Sequence, residues 1–322
     1  MRIAVTGSIA TDHLMRFAGS FTEQLIPDQL DKISLSFLVD DLEVRRGGTA
    51  ANIAYGLGNL GLTPVLVGSV GNDFAEYRVR LKEHGVDTES VHVSPTRASA
   101  RFICLTDRRL NQIAAFHTGA MRDAASIDLR PVVDRVGGLD LVLVSPNDPD
   151  AMLRHTAQCR ELGIPFAADP SQQLSRLRPD EITELVTGAR WLFTNEYEAH
   201  QLIERTGLRR AAVLDRVGAW VTTLGGAGAR VEQAGRPPVV VPAVRVTEVA
   251  EPTGAGDAFR AGFLAGLARG LPLVGAARLG CALAATALES VGPQEYTTTR
   301  ETLDARLVAA YGADAGWPGT AD

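Results

Sequence analysis

Apolar positions recur along the chain in two rhythms. Short compact runs, "IAV" at 3–5, "TPVLVGSVG", "LDLVLV", "PFAAD", "RWLFTN" and "AWVTTLG", predict buried strands. Between them "DPDAMLRHTAQCRELG", "RPDEITELVTG" and "EYEAHQLIERTG" place apolar residues three and four apart, which predicts helices. Further helices are predicted over "GGTAANIAYGLGNLG", ending at Gly61, over "FAEYRVRLKEHG", and at about 256–269, 273–289 and 300–310. The steady alternation from about 138 onward predicts an α/β fold with a mostly parallel sheet and helices on both faces. Two stretches break it. "ISLSFLVDDLEVRR", within 13–45, runs at strand spacing with no helix between. "ARFICLTDRRLNQIAAFH", at 100–117, reads as two strands around a polar turn at Asp107-Arg108. They predict a small separate sheet acting as a lid. The expected division is therefore a large domain from 1–12, 46–99 and 118–312, a small β lid from 13–45 and 100–117, and a loose tail at 313–322. There is no internal repeat.

Charge narrows the partners. The net charge is −6 with a pI near 5.6, which argues against a nucleic-acid surface. No 18-residue apolar run suggests a membrane span; the nearest candidate is broken by Arg269, Pro272 and Arg278. Cys104, Cys159 and Cys281 stand too far apart for a zinc knuckle or dithiol, and are expected to be reduced. With a strand pattern at residue 3, no signal peptide is expected, and the expected location is cytoplasmic.

Candidate chemistry concentrates at "EPTGAGDAFRAGF", 251–263. Gly254, Ala255 and Gly256 precede Asp257, and an apolar helix pattern follows. An acid at a helix start can be a simple cap. Small residues there also let backbone N–H groups approach a phosphate, with the carboxylate free to take a proton. The stretch alone leaves both readings open. Other phosphate motifs are excluded: neither Lys32 nor Lys82 sits in a P-loop, the turn after the first strand is "GSIATD", and no H-R-D occurs. The six histidines show no metal spacing, and no G-x-S-x-G elbow is present.

In order, "RRGGTAAN", "TNEYE" and "PTGAGDAF" resemble the ribokinase-like (PfkB) family of carbohydrate kinases. "AVTGSIATDHLMRF", "FAADPSQQL", "LFTNEYE" and "GDAFRAGF" are similar to its actinobacterial adenosine kinase branch, over about residues 1–312. The resemblance implies a three-layer fold with a β lid, and transfer of the ATP γ-phosphate to the adenosine 5′-hydroxyl. It implies Asp257 as base, and the backbone N–H groups of Gly254 through Asp257 as an anion hole. Ser8, Asp12, Gly48 and Asn52 are implied at the ribose, with Gly47 beside Gly48. Phe102 and Phe116 would sandwich the purine, and Gln172 and Gln173 would read its edge. Thr223 and Gly225, with Asn195 and Gly256, are implied at ATP. Asn195 and Glu198 match N-x-x-E, expected to organise Mg²⁺ through water; the same pair also reads as a capping box.

One residue departs from the pattern. The family commonly has Asp six residues before the base, helping to hold a monovalent cation; here it is Glu251, which puts potassium activation in question. A sugar kinase acting on ribose or a fructose-like sugar, and a non-catalytic nucleoside-binding protein, remain as alternatives. Relatives often dimerise through the lid, and "SLSFLV" is the expected dimer strand.

Overall fold

Alternate residues of the first strand point to opposite sides of one sheet. Ile3 and Val5 join the core on one face, Ala4 the core on the other. Leu141 and Leu143 against Val142 and Val144 repeat the division. Both faces are covered, so these strands read as unbroken apolar runs. The structure, a computed structural model, describes residues 1–24, 34–109 and 111–316.

Fourteen strands are described: β1 (Ile3–Thr6), β2 (Ala10–Phe17), β3 (Leu42–Gly47), β4 (Val65–Val67), β5 (Ser69–Val70), β6 (His92–Val93), β7 (Ala100–Asp107), β8 (Gln112–His117), β9 (Leu141–Val144), β10 (Phe166–Ala168), β11 (Trp191–Asn195), β12 (Trp220–Thr223), β13 (Ala229–Glu232) and β14 (Val239–Val241). Eight form the central sheet, in the order β14-β13-β12-β11-β10-β9-β1-β4. Pairing is parallel from β4 to β12 and antiparallel across β12-β13-β14. One face packs helices Thr49–Asn59, Ala255–Ala268 and Leu273–Leu288; the other packs Leu129–Val136, Pro149–Glu161, Pro179–Val186 and Glu196–Thr206. The ends of β10, β11 and β12 and the start of helix Ala255–Ala268 meet at the carboxyl edge of the sheet, where open α/β sheets bind ligands.

A separate four-stranded sheet runs β3-β2-β7-β8. It begins at Ala10, so Asp12 stands inside a strand and not in the turn after β1. The expected strand "SLSFLV" is not formed: residues 34–39 carry no strand, and Ile33 lies outside the described residues. Its apolar residues serve a small aromatic cluster instead. Phe37 packs edge-on against Phe17 at 5.0 Å and Phe21 at 5.3 Å, while Leu38 is 87% exposed. The strand that pairs with β2 is the more polar "LEVRRG". A short helix, Phe21–Gln24, also interrupts the stretch expected to be all strand. The three cysteines are free and buried, and among the described residues no helix is long and apolar enough to cross a membrane.

Candidate active site

The turn ahead of helix Ala255–Ala268 is built for close approach. Gly254 has φ +83°, and a Cβ there would sit 2.5 Å from Pro293 Cβ. No side chain fits that space, so the turn requires glycine. Of the four amides expected to line an anion hole, Ala255 N–H is already used, donating to Pro252 O at 3.3 Å. Gly254, Gly256 and Asp257 N–H have no partner among the described residues. Three of the four expected amides, not four, are thus unpaired at this helix N-terminus.

Asp257 is half-buried, and Asn52 Nδ2 donates to its Oδ2 at 2.8 Å. Burial pushes the Asp257 carboxyl up to about 6; the Asn52 bond and Arg260 pull it back, while Asp12 and Glu198 push the same way as burial. A carboxylate at about 6 is ionised at neutral pH yet basic enough to take a hydroxyl proton during transfer.

Helix Thr49–Asn59 carries Asn52 and starts at the glycine pair. Gly48 has φ +92°, and a Cβ would lie 2.6 Å from both Ser8 O and Ala10 N. At Gly47 a Cβ would lie 2.8 Å from Asp12 Oδ2, so the glycine leaves room for that carboxylate. Ser8 Oγ is engaged, accepting from Thr49 N at 3.0 Å; its proton remains available. Burial and Glu251 push Asp12 up to about 6, and Arg45 opposes them.

Register places four lid residues side by side. Asp12 pairs with Arg45 on β3 and with Phe102 on β7, and Phe102 pairs with Phe116 on β8. Cross-strand neighbours share a face of the sheet. Two aromatic rings therefore stand in line with the carboxylate that borders the glycine pair. Arg45 also bonds Glu251, joining the lid to the chain just before the amide turn. That ion pair satisfies the acid at the departing position.

At the far side, Asn195 and Glu198 form the capping box foreseen as their alternative role. Asn195 Oδ1 accepts from Glu198 N at 2.8 Å, and Glu198 Oε2 from Asn195 N at 2.7 Å. Glu198 Oε1 accepts from Ser171 Oγ at 3.0 Å. Ser171, φ +42°, is the only described non-glycine residue with left-handed backbone, a strain of the kind that gathers at functional sites. Among the described residues no cluster of three His, Cys, Asp or Glu could hold a metal directly. Asn195 and Glu198 offer hard oxygen donors, the kind that would hold magnesium through its water shell.

Asn195, Glu198, Thr223, Gly256 and Asp257 line a cavity of about 170 Å³. A mostly apolar cavity of about 570 Å³ adjoins it, sharing Thr223 and Gly256 and reaching Gly225 and Phe259. Gln172 and Gln173 line neither. Both sit in the turn Ser171–Ser175, Gln172 exposed and Gln173 buried with its Oε1 unpartnered.

The sequence reading missed the pair beneath the cavity. Arg260 Nε lies 2.5 Å from Asp169 Oδ2, and Arg260 Nη2 donates to Asp169 Oδ1 at 2.7 Å, both residues buried. Arg260 Nη1 also donates to Gly256 O at 3.0 Å, bracing the amide turn. A charge within an apolar helix, three residues past Asp257, and an acid at the end of "PFAAD" were the available signals.

The pattern of pfkB family carbohydrate kinases matches residues 8–300. A nucleoside kinase of Methanothermobacter thermautotrophicus is 30% identical, over 88% of this chain and 92% of that protein. One from Methanocaldococcus jannaschii is 27% identical, over 81% and 85%. The solved Burkholderia thailandensis nucleoside kinase in complex with inosine superposes with a TM-score of 0.84 at 35% identity, covering 96% of this chain and 98% of that one. Its ADP-inosine complex gives 0.80 at 36%, with 96% of each chain covered. With the amide turn and the acid on one cavity, and the match running through nearly the whole fold, the chain belongs to the pfkB family of carbohydrate kinases.

Proposed function

We propose that this protein transfers the γ-phosphoryl group of ATP to the 5′-hydroxyl of a purine nucleoside, adenosine foremost, giving the nucleoside monophosphate and ADP. Family membership makes it an ATP-dependent phosphotransferase acting on a hydroxyl group. The observation that carries the finer reading is the lid row: Asp12, Phe102 and Phe116 on one face, ending beside Gly47. A carboxylate can accept both ribose hydroxyls, and two rings can hold a purine. With the ribose at Asp12 and Gly48, Asp257 accepts the 5′-hydroxyl proton as the O–P bond forms. The free amides of Gly254, Gly256 and Asp257 receive the charge on the transferring group, and the bond to ADP breaks. In this reading the apolar cavity takes the adenine of ATP, and Thr223, Gly225 and Asn195 border its phosphates. Magnesium, when bound with ATP, screens phosphate charge. Gln173, buried with a free oxygen, is the one glutamine of the pair suited to pairing with a polar group.

The inosine complex of the Burkholderia relative supports a 6-oxopurine nucleoside as a second acceptor. The test is ADP release from ATP with adenosine, inosine, cytidine and ribose compared. The expected order places both purine nucleosides well above ribose; ribose as the better acceptor would overturn the reading in favour of a sugar kinase. Release with no acceptor preference would leave neither.

The outer face of the lid supports a homodimer. On the side opposite Asp12, Leu42, Val44, Ile103 and Ile113 are 58, 55, 38 and 53% exposed. A second copy would cover this face. Sedimentation should give twice the chain mass, and Ile103→Glu a monomer.

A further inference from the structure

A buried line of hydrogen bonds runs from the Asp257 carboxylate to the glycine turn. Asn52 Nδ2 donates to Asp257 Oδ2, and Gln294 Nε2 donates to Asn52 Oδ1, each at 2.8 Å. The same Gln294 nitrogen donates to the Tyr77 hydroxyl, whose own proton goes to Gly47 O at 2.9 Å. Asn52, Gln294 and Tyr77 are buried, and neither Gln294 nor Tyr77 lines the cavities. The donors run outward from Gln294 in both directions, through Asn52 to Asp257 and through Tyr77 to Gly47 O. The Gln294 backbone is held from behind, because its main-chain carbonyl accepts from Arg80 Nη2 at 2.6 Å. The residue before it, Pro293, packs on Gly254.

We propose that Gln294 and Tyr77 are positioning residues for phosphoryl transfer: they lock the Asn52 amide with its nitrogen toward Asp257, and tie the base to the Gly47–Gly48 turn that carries the sugar. This rests on the kinase reading above. An asparagine amide looks nearly alike in its two orientations. Flipped, Asn52 would turn Oδ1 on the carboxylate, disfavour its ionised form and leave it protonated, unable to accept a proton. Gln294 prevents this by presenting hydrogens, and Tyr77 fixes Gln294 by accepting one of them. The other charged and titratable groups around Asp257 are Arg260 on its own helix, Asp12 from the lid, Glu198 from helix Glu196–Thr206, Asp169 after β10 and Tyr296 from the loop beside Gln294. Among the described residues only Asn52 hydrogen-bonds its side chain. The orientation of that one amide therefore decides whether a side-chain hydrogen bond offsets the burial that raises the base.

Three variants test this. Gln294→Met removes the hydrogens at near-constant volume. Gln294→Glu reverses the line, since a carboxylate accepts from Asn52 and turns Oδ1 toward Asp257. Tyr77→Phe deletes one oxygen and carries the test if the glutamine variants do not fold. The readouts are the acid limb of kcat against pH, the nucleoside KM, and the carboxyl ¹³C NMR titration of Asp257. The expected result is an acid limb raised by about one pH unit in Gln294→Met and further in Gln294→Glu. Tyr77→Phe should raise it less and increase the nucleoside KM severalfold with the ATP KM unchanged. The NMR titration should follow the same order. Folded variants whose limb and Asp257 titration coincide with wild type, or whose activity drops by one factor at every pH, overturn the proposal. Wild-type protein without nucleoside-dependent ADP release would overturn the kinase reading instead, while the NMR titration would still judge the hydrogen-bond line.

Discussion

Asp257→Asn should abolish turnover and yet stabilise the fold at neutral pH. The carboxyl is pushed from 3.8 to about 6, chiefly by burial. Its folded-state value lies above its unfolded one, so the folded protein holds the extra proton between those values. The stability favouring the protonated form is present at pH 4 and below, and is lost as pH rises toward 6 and beyond. At about 1.4 kcal/mol per pH unit, the ionised Asp257 costs the fold up to about 3 kcal/mol at pH 8. Asparagine removes that cost. It keeps an acceptor for Asn52, and the opposing pull of the Asn52 bond and Arg260 is already contained in that figure. The net gain is up to about 3 kcal/mol, or a rise in melting temperature of roughly 4 °C for a chain of this size. Thermal unfolding at pH 8 and pH 5 reads the effect, with the gain at pH 5 expected to be about half of that at pH 8. Steady-state ADP release should fall by about 10²–10⁴. A variant less stable than wild type at pH 8, or one turning over within tenfold of it, would refute both the burial argument and the assignment of the base.

Phe102→Ala should raise the adenosine KM by roughly ten- to hundredfold, the worth of one stacked ring, with the ATP KM unchanged; equal changes in both would place the ring outside the purine site. Arg260→Met leaves Asp169 buried without its counter-charge and should cost about 3–5 kcal/mol of stability; a denaturation midpoint equal to wild type would show that the pair is dispensable. Because Arg45 already meets Glu251, exchanging potassium for tetramethylammonium should leave the rate unchanged, and a rate that collapses without potassium would mean the ion pair does not replace a cation.

What could be read from residues alone followed how local the cause was. The central strands announced themselves because both faces are buried, so "LVLV" has no polar gap, and the helix after Gly254 because small residues and an acid mark a helix start. The lid was only half legible. Between 13 and 45 the most apolar segment is not a strand, since its phenylalanine packs into an aromatic cluster while the ladder forms from "LEVRRG", whose Arg45 faces Asp12 and Glu251. Hydrophobic periodicity reports burial, and an edge strand that exposes one face and turns charges inward gives that signal no purchase. The parts of the site missed altogether are long-range pairs. Arg260 meets Asp169 from 91 positions away, and Gln294 meets Asn52 from 242. Gln294 lies outside every quoted motif and Arg260 lies inside one without an assigned role, and each acquires meaning only when the chain returns to the same edge of the sheet. A short motif can therefore mark the amide turn and its acid, whereas the contacts that brace the turn and orient Asn52 come from packing between distant stretches, which no single motif spans.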